Sequence, residues 1–195
     1  MIFMHKNNNK GQMEMIGLVI IVILITLGML FFTLLAVKES PEKKIFTRKG
    51  LAYSTMSAVM KTTIIPEENC VAGSAVSLEL GKDILEDCAL NAGSYRRDDP
   101  SNCGFGCQYH CRGLHSCAFF NQKIEELLQA SLGRWNKRYS FTSQLLIPGS
   151  DRSLSLAEIK GRGGCSSSQD KDSSGLFPIQ AGDAGLVENV LFLCD

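Results

Sequence analysis

The feature that most constrains this chain is an uncharged, apolar run from Met15 to Val37. The run is 23 residues long, with Thr26 and Thr33 as its mildly polar members. A helix of that length spans about 34 Å at 1.5 Å per residue, enough to cross a hydrocarbon core of roughly 30 Å. The rest of the chain is therefore expected on one side of a membrane, and that side governs how the eight cysteines are read. About 155 residues follow this segment, enough for one modest domain. An even cysteine count at this density suits an oxidising compartment. The net charge is near zero, and no basic stripe is interleaved with aromatic residues. Nucleic acid is not expected as a partner.

Residues 1–11 are polar and weakly basic and read as a leader. An ordinary secretory signal has a shorter apolar region followed by a small-residue cleavage site. This run is longer, and no Ala-x-Ala site follows it. Lys10-Gly11-Gln12-Met13-Glu14, followed at once by the apolar segment, resembles the class III signal peptide of archaeal type IV pilin-like proteins. The resemblance is confined to the N-terminal region. It implies removal of the leader between Gly11 and Gln12 by a prepilin-type peptidase. It also implies that the apolar helix stays on the mature protein and packs with further copies or with other pilin-like subunits. Glu14 takes the place of the acidic residue near the mature terminus. A carboxylate entering lipid is costly and is retained when paired. The new N-terminal amine, on the same or a neighbouring subunit, is the obvious partner. The residues alone also leave open an uncleaved signal anchor, with Lys10 and Glu14 marking the lipid boundary.

Orientation draws two opposed signals. Lys38, Lys43, Lys44, Arg48 and Lys49 lie after the run, against Lys6 and Lys10 before it, which favours a cytoplasmic C-terminal side. The cysteine count and the resemblance point the other way. The expectation is a single-pass protein with its N-terminus cytoplasmic and its C-terminal domain extracytoplasmic, at the cell surface.

Beyond Pro41, which can break or kink a helix, a helical period resumes. Ile45, Ala52, Met56, Val59, Met60 and Thr63 define one face of an amphipathic helix, expected to pack on the domain after it. A short helix is predicted over Lys82 to Leu90. Cys70 and Cys88 bracket the loop before it, and their pairing is the one expected first. Cys103, Cys107, Cys111 and Cys117 then fall in a Gly/Ser/Asn/Asp-rich loop, with His110 and His115 interleaved. Four thiolates, or three and a histidine, can surround zinc. The spacing lacks the tight Cys-x2-Cys pairs of zinc knuckles, and disulfides are the simpler expectation, with both histidines at the surface.

Ser116 to Trp135 reads as the strongest soluble helix, with Ser116 as its cap and Phe120, Ile124, Leu127, Leu128, Ser131 and Trp135 on its core stripe. The period then changes to two. Tyr139, Phe141 and Leu145 mark a half-buried strand, and a second begins at Leu154 and Leu156. The second strand's phase slips at Ala157, which predicts a bulge or an early end. Gly161 to Gly175 reads as a long exposed loop carrying Cys165. Gly185 to Cys194 reads as a last strand, apolar on both faces at its end and tied down by a Cys165–Cys194 bond.

The expected fold is α+β. A leader (1–11), a transmembrane helix (12–38) and an amphipathic extension (39–64) precede an extracytoplasmic cysteine-rich domain (65–195) with helices and a C-terminal antiparallel sheet. No Cys-x-x-Cys, His-Glu-x-x-His, Gly-x-Ser-x-Gly or phosphate-binding glycine loop is present. No enzyme activity, metal or cofactor is expected. The expected function is a membrane-anchored, pilin-like structural subunit or surface protein acting in assembly or adhesion. Two alternatives stand beside it: a single-pass binding or accessory module, neither processed nor polymerised, and a cytoplasmic-facing zinc module.

Overall fold

A computed structural model describes residues 10–37, 41–64, 70, 77–103, 106–150, 152–166 and 169–194. The leader expected over residues 1–11 lies mostly outside them. The chain divides into two compact units, Met1–Lys44 and Ile45–Asp195.

The first unit contains helix α1, Lys10–Val37. Its stretch Ile16–Leu35 is long and apolar enough to cross a membrane, and within its own unit its side chains are not buried. Leu18, Phe31 and Phe32 are all more than 60% exposed, a state that water would penalise and lipid would not. The hydroxyls of Thr26 and Thr33 donate to the carbonyls of Ile23 and Leu30, so neither adds an unsatisfied polar group to this surface.

Helix α2 runs Pro41–Met60, and proline at a first helical position costs no hydrogen bond. Within the second unit its inner face is Ala52, Met56, Val59 and Met60, all buried as the periodicity requires. The ends of the expected stripe differ. Ile45 is 39% exposed, and Thr63 leaves the helix to open the two-residue strand β1, Thr63–Ile64. β1 pairs antiparallel with β2, Leu78–Glu79. A π-helical turn (Leu80–Ile84) and α3 (Leu85–Leu90) replace the single short helix expected there. Gly81 lies against Met60 so closely that an added Cβ would overlap it.

Helix α4 covers Ser116–Leu128 and continues as a π-helical turn over Gln129–Gly133. Phe120, Ile124 and Leu128 are fully buried as expected. Trp135 is not on the core stripe; it is 62% exposed, and Leu132 is buried. The π turn is the reason. It admits an extra residue per turn, so the register beyond Leu128 rotates and carries Trp135 out to solvent.

The main sheet is antiparallel. Its strands are β3 (Arg138–Leu146), β4 (Ser153–Gly161), β5 (Lys171–Ser173), β6 (Phe177–Ala181) and β7 (Gly185–Cys194). The order is β4-β3-β7-β5, with β6 also paired to β7. The bulge expected near Ala157 is present: Ser143 faces Ala157 and Gln144 faces Ser155, which leaves Leu156 as the extra residue. Its carbonyl accepts a hydrogen bond from the Asn121 amide of α4 at 3.0 Å. The second strand therefore continues to Gly161 instead of ending early. On β3 the core-facing series is Tyr139, Phe141, Ser143 and Leu145, all buried, and Ser143 takes a slot that an apolar residue would fill.

The loop expected over Gly161 to Gly175 is only partly a loop. β5 lies within it, and Asp172 is buried because Arg48 of α2 reaches it at 2.7 Å. β5 and β6 share one edge of β7 in tandem. Between them the Ser174 N–H donates to the Leu191 carbonyl, and the Leu191 N–H donates to the Ser174 hydroxyl. β7 is thereby paired on both edges, as its two-sided apolar end implied. Tyr53 of α2 meets Phe177 of β6 with ring centroids 5.1 Å apart. Helices α2, α3 and α4 and the core face of the sheet close on one hydrophobic cluster.

Candidate functional site: the disulfide-bonded face

The short helix α3 buries Leu85, Cys88 and Ala89, and it also carries Asp87, only 4% exposed. A carboxylate in such a place must be hydrogen-bonded. Asp87 accepts from the backbone N–H groups of Gln108 (2.9 Å) and Tyr109 (3.2 Å) and from the Asn91 amide (3.0 Å). It thus holds the cysteine-rich loop by its backbone. The Tyr109 phenol is pushed above its usual range, first by burial and then by Asp83, Asp87 and Glu86. It stays protonated beside the acidic residues.

All eight cysteines are paired. The bonds are Cys70–Cys111, Cys88–Cys117, Cys103–Cys107 and Cys165–Cys194. The last agrees with the expectation. The Cys70–Cys88 pairing does not form, because α3 turns Cys88 toward the first turn of α4. Its Cα lies 4.5 Å from that of Cys117, and Cys70 joins Cys111 instead. Loop entropy varies only with the logarithm of loop length, so a short sequence separation cannot outweigh helix packing.

His115 also departs from expectation, for it is fully buried. Its Nδ1 accepts the Cys117 N–H at 3.0 Å, which makes His115 and not Ser116 the cap of α4. An accepting Nδ1 puts the neutral ring's proton on Nε2, which lies 3.3 Å from the Ser94 hydroxyl. The ring packs on Tyr95 at 5.2 Å between centroids. Burial is the largest influence on its pKa and lowers it; the Asn91 backbone and Asp87 oppose, and His110 adds slightly to the lowering. His110 is exposed as expected.

The sulfurs of Cys103 and Cys107 and a ring nitrogen of His115 lie within 4.8 Å of one another. These donors do not fit a metal as they stand. The two sulfurs are bonded to each other, and both imidazole nitrogens are engaged. The zinc alternative, with all four of Cys103, Cys107, Cys111 and Cys117 or with three of them and a histidine, would mean opening three or at least two disulfides.

Gly11, Gln12 and Glu14 lie in the opening turns of α1 by their backbone, and their side chains fall outside the described residues. They belong to the first unit, whereas the disulfide-bonded face belongs to the second. At Gly17 and Gly28 an added Cβ would meet nothing within 4 Å. Sequence reasoning missed Asp87, His115 and the Arg48–Asp172 pair. Only His115 had a local signal, its place immediately before the first residue of a strong helix. No protein-family model matches the chain, and no curated protein or solved structure matches it.

Proposed function

We propose that this protein is a membrane-anchored, pilin-like structural subunit or surface protein that acts in assembly or adhesion. Its unit from Ile45 onward lies outside the cytoplasm. The observation that carries the reading is the union of two features: a bare apolar helix of spanning length, and a second unit whose cysteines are all disulfide-bonded. Disulfides persist in oxidising compartments, so they favour a cytoplasmic N-terminus despite the flanking lysines. A prepilin-type peptidase cuts between Gly11 and Gln12, and Glu14 pairs with the freed amine in the lipid. The exposed α1 surface then packs against other copies or other pilin-like subunits.

The test is the mass of the mature N-terminus from membranes of a host with such a peptidase. A chain beginning at Gln12 is expected, and Gly11→Val is expected to retain the leader. An intact Met1 on the assembled protein refutes processing.

A further inference from the structure

We propose that Cys103–Cys107 is an exchange-competent disulfide, opened by a dithiol partner, while the other three bonds are fixed parts of the core. The proposal is independent of whether the chain is processed or polymerises.

Access is the first argument. Six of the cysteines are buried, and only Cys107 and Cys165 are half-buried. An attacking thiolate must reach a sulfur directly, so the Cys103–Cys107 and Cys165–Cys194 bonds are the two candidates.

Electrostatics separates them. The Cys194 sulfur sits 3.6 Å from the carbonyl oxygens of both Arg138 and Gly164, and the Cys165 sulfur is 3.8 Å from that of Phe192. Carbonyl oxygens disfavour a thiolate. The Cys107 sulfur instead lies 3.7 Å from the Ser116 hydroxyl, on the first residue of α4. A hydroxyl donor at a helix N-terminus stabilises a thiolate and so favours the opened form.

Connectivity gives the third argument. Cys103–Cys107 spans 4 residues and Cys165–Cys194 spans 29. Opening the short one frees little chain. The loop stays anchored by Asp87 to Gln108 and Tyr109, by the His115 N–H donating to the Pro100 carbonyl at 2.8 Å, and by the Cys70–Cys111 and Cys88–Cys117 bonds.

The exchange runs in two displacements. A partner thiolate attacks the Cys107 sulfur, a mixed disulfide forms, and the buried Cys103 sulfur leaves and takes a proton from water. The partner's second thiolate then attacks its own sulfur in the mixed disulfide. Cys107 leaves as a thiolate beside Ser116 and is protonated in turn. The net result is one partner dithiol oxidised to a disulfide and Cys103 and Cys107 reduced to two thiols. Two electrons are transferred, and the two protons lost by the dithiol match the two gained here.

The experiment equilibrates the full chain, in detergent micelles, with graded ratios of reduced to oxidised dithiothreitol. Samples are then acid-quenched, alkylated and mapped by peptide mass, with circular dichroism on the same material. Cys103 and Cys107 are expected to be labelled together at a ratio about tenfold less reducing than any other pair needs, with the dichroism unchanged. In the opened protein, Ser116→Ala is expected to slow alkylation of Cys107 at neutral pH several-fold. Opening of Cys165–Cys194 or a core pair first, loss of dichroism as Cys103–Cys107 opens, or an unchanged Cys107 rate in Ser116→Ala would overturn the proposal.

Discussion

Replacing Asp87 by alanine tests how the cysteine-rich loop is held. The carboxylate accepts from two backbone donors, Gln108 N–H at 2.9 Å and Tyr109 N–H at 3.2 Å. It also accepts from Asn91, but that amide keeps a second acceptor in the Asp87 backbone carbonyl at 2.9 Å, which the substitution does not remove. Two donors are thus orphaned. Each costs roughly 1–3 kcal/mol when shielded from water. Gln108 is exposed and its N–H can recruit water, whereas Tyr109 is half-buried. The sum comes to about 2.5 kcal/mol, or a fall in Tm of roughly 5–10 °C for a unit of this size. Asp87→Asn keeps one acceptor and turns an amide donor toward the other N–H, so it is expected to fall between wild type and alanine. Thermal unfolding by circular dichroism reads the stability, and native-state hydrogen exchange reads the two amides. Selective loss of protection at Gln108 and Tyr109 is expected, with all four disulfides intact. A melting temperature within a degree of wild type, with both amides still protected, would refute the reasoning.

Arg48→Met leaves Asp172, whose side chain is 9% exposed, without its guanidinium 2.7 Å away. It is expected to cost about 3 kcal/mol in denaturant unfolding, and pairing it with Asp172→Leu should recover most of the loss. The pH dependence comes from His115. Burial lowers its folded pKa, whereas the unfolded chain titrates near the ordinary value of 6.5. The unfolded state therefore binds a proton first as pH falls. The histidine's contribution is complete above that value and is lost between it and the lower folded pKa. In His115→Asn, which keeps a capping side chain, the decline in stability from pH 7 to pH 5 is expected to flatten; an unchanged slope in pH-dependent melting would count against a buried neutral ring.

Periodicity made much of this fold legible. Ala52, Met56 and Val59 on α2, Phe120, Ile124 and Leu128 on α4, and Tyr139, Phe141 and Leu145 on β3 face the core because burial selects those spacings. Even the slip at Ala157 foretold a bulge. What stayed hidden depends on contacts distant in sequence. Asp172 is buried by charge pairing with Arg48, so β5 has no apolar alternation to reveal it. Trp135 misled because a π turn breaks the 3.6-residue period that the stripe assumed. The pairing of Cys88 was set by the meeting of α3 and α4, which no spacing rule contains. That α1 is long and apolar enough to cross a membrane was plain from composition alone, since a lipid solvent asks only for length and apolarity.

The position of β7 has a consequence for the order in which this protein is made. Residues Gly185–Cys194 pair with β3, β5 and β6, and Cys194 also closes a disulfide to Cys165. As the chain leaves the ribosome or crosses a membrane, β3 and β4 can meet, but they present an open edge. That edge remains until the segment ending at Cys194 arrives. The sheet cannot be assembled progressively from its N-terminal side, and its central strand comes last. During that interval Cys165 has no partner, and the edge of β3 is free to pair with a neighbouring chain. An oxidant that acts too early would join Cys165 to the wrong sulfur. Correct disulfide formation at this end of the unit is therefore coupled to the arrival of β7.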